Sequence, residues 1–389
     1  MRSRCYTYKT IATAILLLAT SLLNAQTNTK KQTSYLVYIG TYTGPASKGI
    51  YVFRFNSATG HTSEPQLAAA TKNPSYLAAD RSGHFLYAVN EVSDYDNKDS
   101  GAITAFSIHR DDGKLTFLNQ VSSQGAGPCY VDLDKTGKHV LVANYDSGSV
   151  AVLPVLKDGK LGTATASIQH TGHGADPERQ QGPHAHQIRV SPDNRFAIAA
   201  DLGLDELLVY RFEPAAGTLI PNNPPYARVD PGSGPRHFAF TPNGKFLYVL
   251  EEMRSAVTGF AYSAQAGTLS PLQTISSIPA DFHGRKEAAE IAVHPSGKFL
   301  YASNRGHDSI AVFSIAADGK LTNLEYAPTT GKTPRGFALD PTGSFLLVGN
   351  QDSNNVVVFR VNLKTGRLLP TRHTLDVPSP VSVEFVVTH

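Results

Sequence analysis

The chain has 389 residues, two cysteines, no tryptophan and a formal net charge of +3. That excess sits in the first 25 residues, which hold Arg2, Arg4 and Lys9 and no acid. The remainder is balanced and carries no clustered basic footprint for a nucleic-acid backbone. Cys129 is the one thiol beyond that segment, which excludes an internal disulfide and leaves stability to the apolar core.

In chain order, a basic start, an apolar run over residues 11–23 and the sequence Asn24-Ala25-Gln26 predict a signal peptide over residues 1–25. The apolar run is shorter than the roughly 20 residues that span a bilayer, and no second one follows. The mature protein is therefore expected to be exported, periplasmic or extracellular, with no membrane span. Residues 26–32 read as a flexible tail and residues 33–389 as one domain.

Two strand-like runs come next, Tyr35-Leu-Val-Tyr-Ile-Gly40 and Gly49-Ile-Tyr-Val-Phe-Arg-Phe55, with no strand before them. Six units then read apolar strand, tight turn, aromatic-rich strand. They end at Asn90, Asn144, Asp201, Glu251, Asn304 and Asn350, at intervals of 54, 57, 50, 53 and 46 residues. A glycine ahead of a short β segment recurs at 60, 113, 159, 217, 267, 319 and 366, which sets seven units. Runs such as Val356-Val-Val-Phe-Arg-Val361 have the period of a strand, and Pro-Asn-Gly-Lys (242–245) and Pro-Ser-Gly-Lys (295–298) supply hairpin turns. No segment offers an amphipathic helix. Four antiparallel strands per unit, labelled A to D, at this period predict an all-β, seven-bladed β-propeller. The last run, Ser379-Pro-Val-Ser-Val-Glu-Phe-Val-Val387, is a strand A with nothing after it. Pairing it with the N-terminal strands closes the ring and removes two sheet edges.

Strand order also sorts the loops. The A–B and C–D turns share one face and are generic. The D–A links and B–C turns share the other face and carry the unusual polar residues. On it lie Gly182-Pro-His184-Ala-His186, Gly234-Pro-Arg236-His237, Thr333-Pro-Arg335-Gly336, Glu251-Glu252 and Asn304-Arg305. Because strand A is innermost, Arg236 and Glu252 are expected to meet at one rim of the central channel, the default place for a ligand site. Each residue also has a plain structural reading. Arg236 and Glu252 could tie two loops together. Arg305 and Arg335 could anchor a ligand or tether blades through Asp308 or Asp352. Asp201 and Asp205 read as turn caps, the loop bearing Asp94, Asp96 and Asp99 as solvated surface, and Cys129 as a small buried filler in strand A. His184 and His186, two apart on an extended segment, share a side, but no third ligand is evident and no metal is assigned.

The stretches Gly232-Ser-Gly-Pro-Arg-His-Phe-Ala-Phe-Thr-Pro-Asn-Gly244 running into Glu252, Ala289-Glu-Ile-Ala-Val-His-Pro-Ser-Gly297 running into Arg305, and Pro334-Arg-Gly-Phe337 carry a resemblance. With essentially the whole mature chain, they resemble the lactonase family of seven-bladed propellers, typified by 6-phosphogluconolactonase and related to carboxymuconate cyclases. The resemblance implies a site built from His186 (or His184), Arg236, Glu252 and Arg305. Arg335 joins them from its motif and its face, and His237 as the neighbour of Arg236. The implied reaction is hydrolysis of a sugar-type lactone by water attack. Glu252 or His186 would serve as base, Arg236 would stabilise negative charge, and Arg305, Arg335, His184 and His237 would contact substrate. No cofactor and no macromolecular partner is implied, and a monomer is expected. Two departures stand out. Glu251-Glu252 occupies a place where the family often reads Asn-Glu, so Glu252 is taken as the functional carboxylate. An export signal also sits poorly with a phosphorylated lactone, a cytoplasmic compound. A non-catalytic exported propeller that binds a small anion, a carbohydrate or a protein on the same face stays open, as does, more weakly, a muconate-type cyclase.

Overall fold

The computed structural model describes residues 34–387, so the expected signal peptide and tail lie outside the described residues. Seven four-stranded antiparallel sheets form a closed ring. Blades 1 to 6 follow in chain order over residues 77–122, 128–169, 185–228, 235–276, 288–328 and 334–376. Blade 7 takes its innermost strand, Pro380–Val387, from the C-terminus and its outer three, Ser34–Thr41, Gly49–Asn56 and Gln66–Ala70, from the N-terminus. The predicted closure is thus an antiparallel pairing that runs from Tyr35 opposite Val387 to Gly40 opposite Ser382. Among the described residues the only helical element is a single 3-10 turn, Tyr95–Asn97, in the acidic loop.

The core lies between blades. Each sheet has both faces covered by its neighbours, so the second strand of a blade is buried along its whole length, as in His139–Asn144 and Phe345–Asn350. Val37, Phe53 and Phe55 of blade 7 pack on Phe345, Leu347 and Val356 of blade 6. Burial of these side chains is worth about 1.5–3 kcal/mol each relative to exposure.

Polar contacts fix the angle between neighbours. Tyr38, Tyr87, Tyr248 and Tyr301 donate their hydroxyls to the carbonyls of Gly113, Gly159, Gly319 and Gly366, at 2.9, 3.1, 2.7 and 2.8 Å. Each acceptor sits in the C–D turn of the next blade. Gly319 has φ of +84°, and a Cβ there would lie 2.5 Å from the ring of Phe246. The repeated glycine is therefore both a left-handed turn and a seat for an aromatic ring. Gly319→Ala should cost about 2–5 kcal/mol, combining left-handed backbone strain with overpacking. A thermal melt with an unchanged midpoint would refute this.

The repeated residue that ends strand B also has a structural task. The buried amides of Asn90, Asn144, Asn304 and Asn350 donate to the carbonyls of Lys72, Ser123, Ser277 and Thr329, at 2.6, 3.1, 2.7 and 3.3 Å. Each bond fastens the end of strand B to the link leading into the same blade. In blade 3 an acid does this work. Asp201 accepts from the His184 amide at 2.7 Å and pairs with the buried His170 Nδ1 at 2.6 Å, the turn-fastening part expected of it.

Candidate active site

Arg236 opens strand A of blade 4, Pro235–Phe240, and Glu252 directly follows strand B of the same blade, Phe246–Glu251. They meet as antiparallel strands require, with Arg236 Nε 2.9 Å from Glu252 Oε2. Arg305, which follows strand B of blade 5, places Nη2 at 2.9 Å from the same oxygen. Arg179 reaches Glu252 Oε1 at 2.8 Å from the link between blades 2 and 3. One carboxylate from blade 4 thus holds three guanidinium groups carried by three separate stretches of chain.

The electrostatics follow from that grip. Burial alone would raise the Glu252 pKa, but Arg305, Arg236 and Arg179 outweigh it and hold the carboxyl down at about 2. Burial pushes the Arg305 guanidinium down to about 10, Glu252 opposes this and Arg236 adds to it, so Arg305 stays charged at neutral pH. Arg236 and Arg305 are further fixed by the start of strand A in blade 5. Arg236 Nη1 donates to the Ala289 carbonyl, and Arg305 Nη2 donates to that of Ala288 at 3.3 Å. Arg305 Nη1 lies 3.8 Å from Glu287. Arg305 Nε is buried and has no acceptor among the described residues.

His186 stands beside this cluster on strand A of blade 3, Ala185–Val190. Its ring packs edge-on against Tyr145 and His237, with centroids 5.5 and 5.0 Å away. Burial, then Arg236, His237 and Arg335, push its pKa well below the ordinary imidazole value, so it is neutral at pH 7. Its Nδ1 lies 3.7 Å from Cys129 Sγ. Cys129 is buried as expected, yet it lines the site. His184 is half-buried, stacks on Tyr145 at 4.5 Å and donates Nδ1–H to the Tyr145 carbonyl at 2.9 Å. A bulge separates the two histidines: the pairing with strand B slips between Ala185 and Gln187. No group of three or more His, Cys, Asp or Glu side chains placed to hold a metal ion occurs among the described residues.

The other predicted residues divide. Arg335 joins a neighbouring network, donating Nη2–H to the Tyr42 hydroxyl at 2.8 Å with its guanidinium over the Tyr42 ring. Tyr42 in turn donates to both Glu91 oxygens at 2.9 Å, and Ser75 also donates to Glu91. His237 is buried below the rim, with Nδ1 3.0 Å from Glu290 Oε1 and Nε2 3.5 Å from Arg236 Nη1, so it supports Arg236 from beneath. A cavity of about 10 Å³, the size of one water molecule, lies between Ser75, Glu91, Cys129, Arg236 and Arg335. Tethering of the arginines to Asp308 or Asp352 is corrected. Both acids accept from Thr333, while Arg305 is taken by Glu252 and Glu287.

Glu251 points into the blade. It accepts from the Thr258 hydroxyl, is fully buried, and burial raises its pKa. Glu251→Gln keeps the shape and the acceptor, so lactone turnover is expected to change less than about threefold, within the effect of a neutral hydrogen bond. A hundredfold loss in a folded variant would move Glu251 into the chemistry.

Arg179, Tyr42, Tyr145 and Glu91 escaped the sequence reading as site residues. Arg179 lies on residues 170–184, the longest link between strands on this face. That link is braced by buried Gln180, whose Nε2 donates to the Leu202 carbonyl at 2.7 Å and to Asp205 at 2.8 Å. Its length was the one available signal, since nothing in the repeat marks the position.

A family model described as a lactonase, 7-bladed beta-propeller, matches residues 36–385. The chain belongs to this lactonase family. The 6-phosphogluconolactonase of Bacillus subtilis is 39% identical over 355 residues, 91% of this chain and 99% of that protein. That of Formosa agariphila is 34% identical over 361 residues, 91% of this chain and 100% of the relative. The solved structure of a periplasmic gluconolactonase from Pseudomonas aeruginosa matches with a TM-score of 0.86 at 36% identity, covering 92% of this chain and 100% of that one. This lactonase-family enzyme has, among its described residues, no helix long and apolar enough to cross a membrane.

Proposed function

We propose that this enzyme hydrolyses an uncharged sugar-type lactone at the rim formed by Glu252, Arg236, Arg305 and His186, with water attacking the ring carbonyl. The observation that carries the reading is the threefold arginine grip on Glu252. Guanidinium groups pre-aimed by a buried carboxylate are suited to the negative charge that grows on a carbonyl oxygen. Preorganised donors of this kind are worth about 2.7–4 kcal/mol each in acyl transfer.

The division of roles follows from what each group already holds. Both Glu252 oxygens are held by guanidinium groups, so Glu252 positions the arginines, whereas no charged partner occupies the His186 ring. His186 is neutral at pH 7 and takes the proton from water as the C–O bond forms. The tetrahedral intermediate then expels the ring oxygen, which receives that proton as the lactone C–O bond breaks, giving a hydroxy acid. The acid loses its proton to solvent. Arg335 and His184 border the bound ring, and His237 steadies Arg236 from below.

Charge bears on the substrate. Arg179, Arg236, Arg305 and Arg335 are set among Glu252, Glu287, Glu91 and Glu290, with Glu287 shared with Arg285 at 2.8 Å, so most of their charge is already answered. A phosphate dianion would have to compete with these glutamates for the guanidinium groups, whereas a neutral lactone needs only donors. Export by the N-terminal segment, release as a monomer and action on an unphosphorylated aldonolactone form one consistent reading. The test compares kcat/KM for glucono-lactone with that for its 6-phosphate. Comparable values or a preference for the neutral lactone are expected, and a preference of tenfold or more for the phosphate would overturn this choice of substrate.

A further inference from the structure

On the opposite face, among the A–B and C–D turns, a cavity of about 870 Å³ runs outward between blades 1 and 2. It shares Ala79, Asp132 and Arg189 with a funnel of about 390 Å³ at that end of the axial channel. Five cationic residues line it, Arg81, Lys135, Lys138, Lys157 and Arg189, against three acids, Asp80, Asp132 and Asp134.

Two of the acids, Asp80 and Asp134, spend their oxygens on backbone amides and neutral side chains. Asp134 accepts from the backbone of Thr136, Lys138 and His139 at 3.0, 2.8 and 2.9 Å and from Asn194 at 3.0 Å. Asp80 accepts from the amides of Ser82, His84 and Phe85. Asp132 takes only Nε of Arg189, at 2.7 Å, which leaves both Nη groups free to bind. Among the described residues no acid lies within 4.0 Å of the charged ends of Arg81, Lys135, Lys138 or Lys157. Lys135 is only partly exposed, and its backbone amide is held at 2.9 Å by Asn194 of blade 3. Burial, and then Arg189, depress its ammonium pKa. Five cations against three acids leave an excess of positive charge in a concave site, which attracts anions, and Arg and Lys hold them through charge-assisted hydrogen bonds.

We propose that this groove is a second binding site, for a small multivalent oxyanion, with Arg81, Lys135 and Arg189 at its inner end and Lys138 and Lys157 at its outer end. It is independent of the lactone site, which opens on the other face. Calorimetric titration of the whole protein with inorganic pyrophosphate, and separately with citrate, tests it. Saturable one-to-one binding that weakens from low to physiological ionic strength is expected. The tighter of the two probes identifies phosphate or carboxylate as the recognised group. Arg81→Gln and Lys157→Gln, both at exposed positions, should each weaken binding about three- to tenfold, and Lys135→Met more, with lactone turnover unchanged. Absence of saturable binding for both probes at low ionic strength, or unaltered affinity in all three folded variants, would overturn the proposal.

Discussion

Glu252→Gln is expected to lower stability by about 3–5 kcal/mol as well as to remove most lactone turnover, because it leaves buried Arg236 with no carboxylate partner, buried Arg305 with only Glu287 at 3.8 Å, and half-buried Arg179 unpaired. The amide preserves the shape, so the loss isolates the charge. The pH dependence has a definite sign. The folded carboxyl ionises at about 2, below the roughly 4.3 of an unfolded glutamate, so its contribution is present above about pH 4.3 and lost as pH falls towards 2. Denaturation profiles of wild type and variant should therefore converge at acid pH. Removing one excess cation, in Glu252→Gln with Arg179→Gln, should recover part of the stability at pH 7. Arg179 is the suitable partner because its side chain is 40% exposed. A double variant no more stable than the single one would contradict this electrostatic account.

His186→Asn is expected to lower kcat by about 10²–10⁴ in a protein that still folds, with the melting midpoint lowered only by the lost packing on Tyr145 and His237. The side chain is buried, and its one side-chain hydrogen-bond contact among the described residues is the long one to Cys129 Sγ at 3.7 Å. In the wild type, the active form is the unprotonated imidazole. Since burial and the neighbouring arginines hold its pKa well below 6.5, kcat/KM should be level through neutrality and fall only at more acid pH. The low Glu252 pKa cannot produce such a fall above about pH 3. A folded His186→Asn with full turnover would return the role of base to another group.

Much of this was legible before any coordinates, and the reasons are local. The seven glycines all take a left-handed turn, and six of them lie under a neighbouring ring, as at Gly319 and Phe246, while Gly113 lies under Leu36 and Val52; that constraint is written in the chain at every repeat. The meeting of Arg236 and Glu252 follows from antiparallel pairing within one blade. What depends on loop paths was not legible. Arg179 arrives from 73 residues away along a link whose course no periodicity describes. Arg305 bonds to Glu252 across blades instead of to Asp308 on its own turn, because strand A of blade 5 holds its guanidinium toward the axis. Arg335 turns to Tyr42 and Glu91, residues of blades 7 and 1 on the far side of the sequence. His237 sits a layer deeper than its place beside Arg236 suggests, since successive residues of a strand point to opposite faces. The adjacent glutamates part for the same reason: Glu251 ends the strand and faces the blade, and Glu252 leaves it and faces the channel.

The most direct measurement is proton release when the protein, with residues 1–25 removed, is mixed with a panel of unphosphorylated aldonolactones, beside His186→Asn and buffer alone. Ring opening well above the buffer rate for at least one lactone, and near the buffer rate with folded His186→Asn, is the predicted result. Equal rates for wild type, variant and buffer across the panel would contradict the assignment of water-driven lactone hydrolysis to this rim.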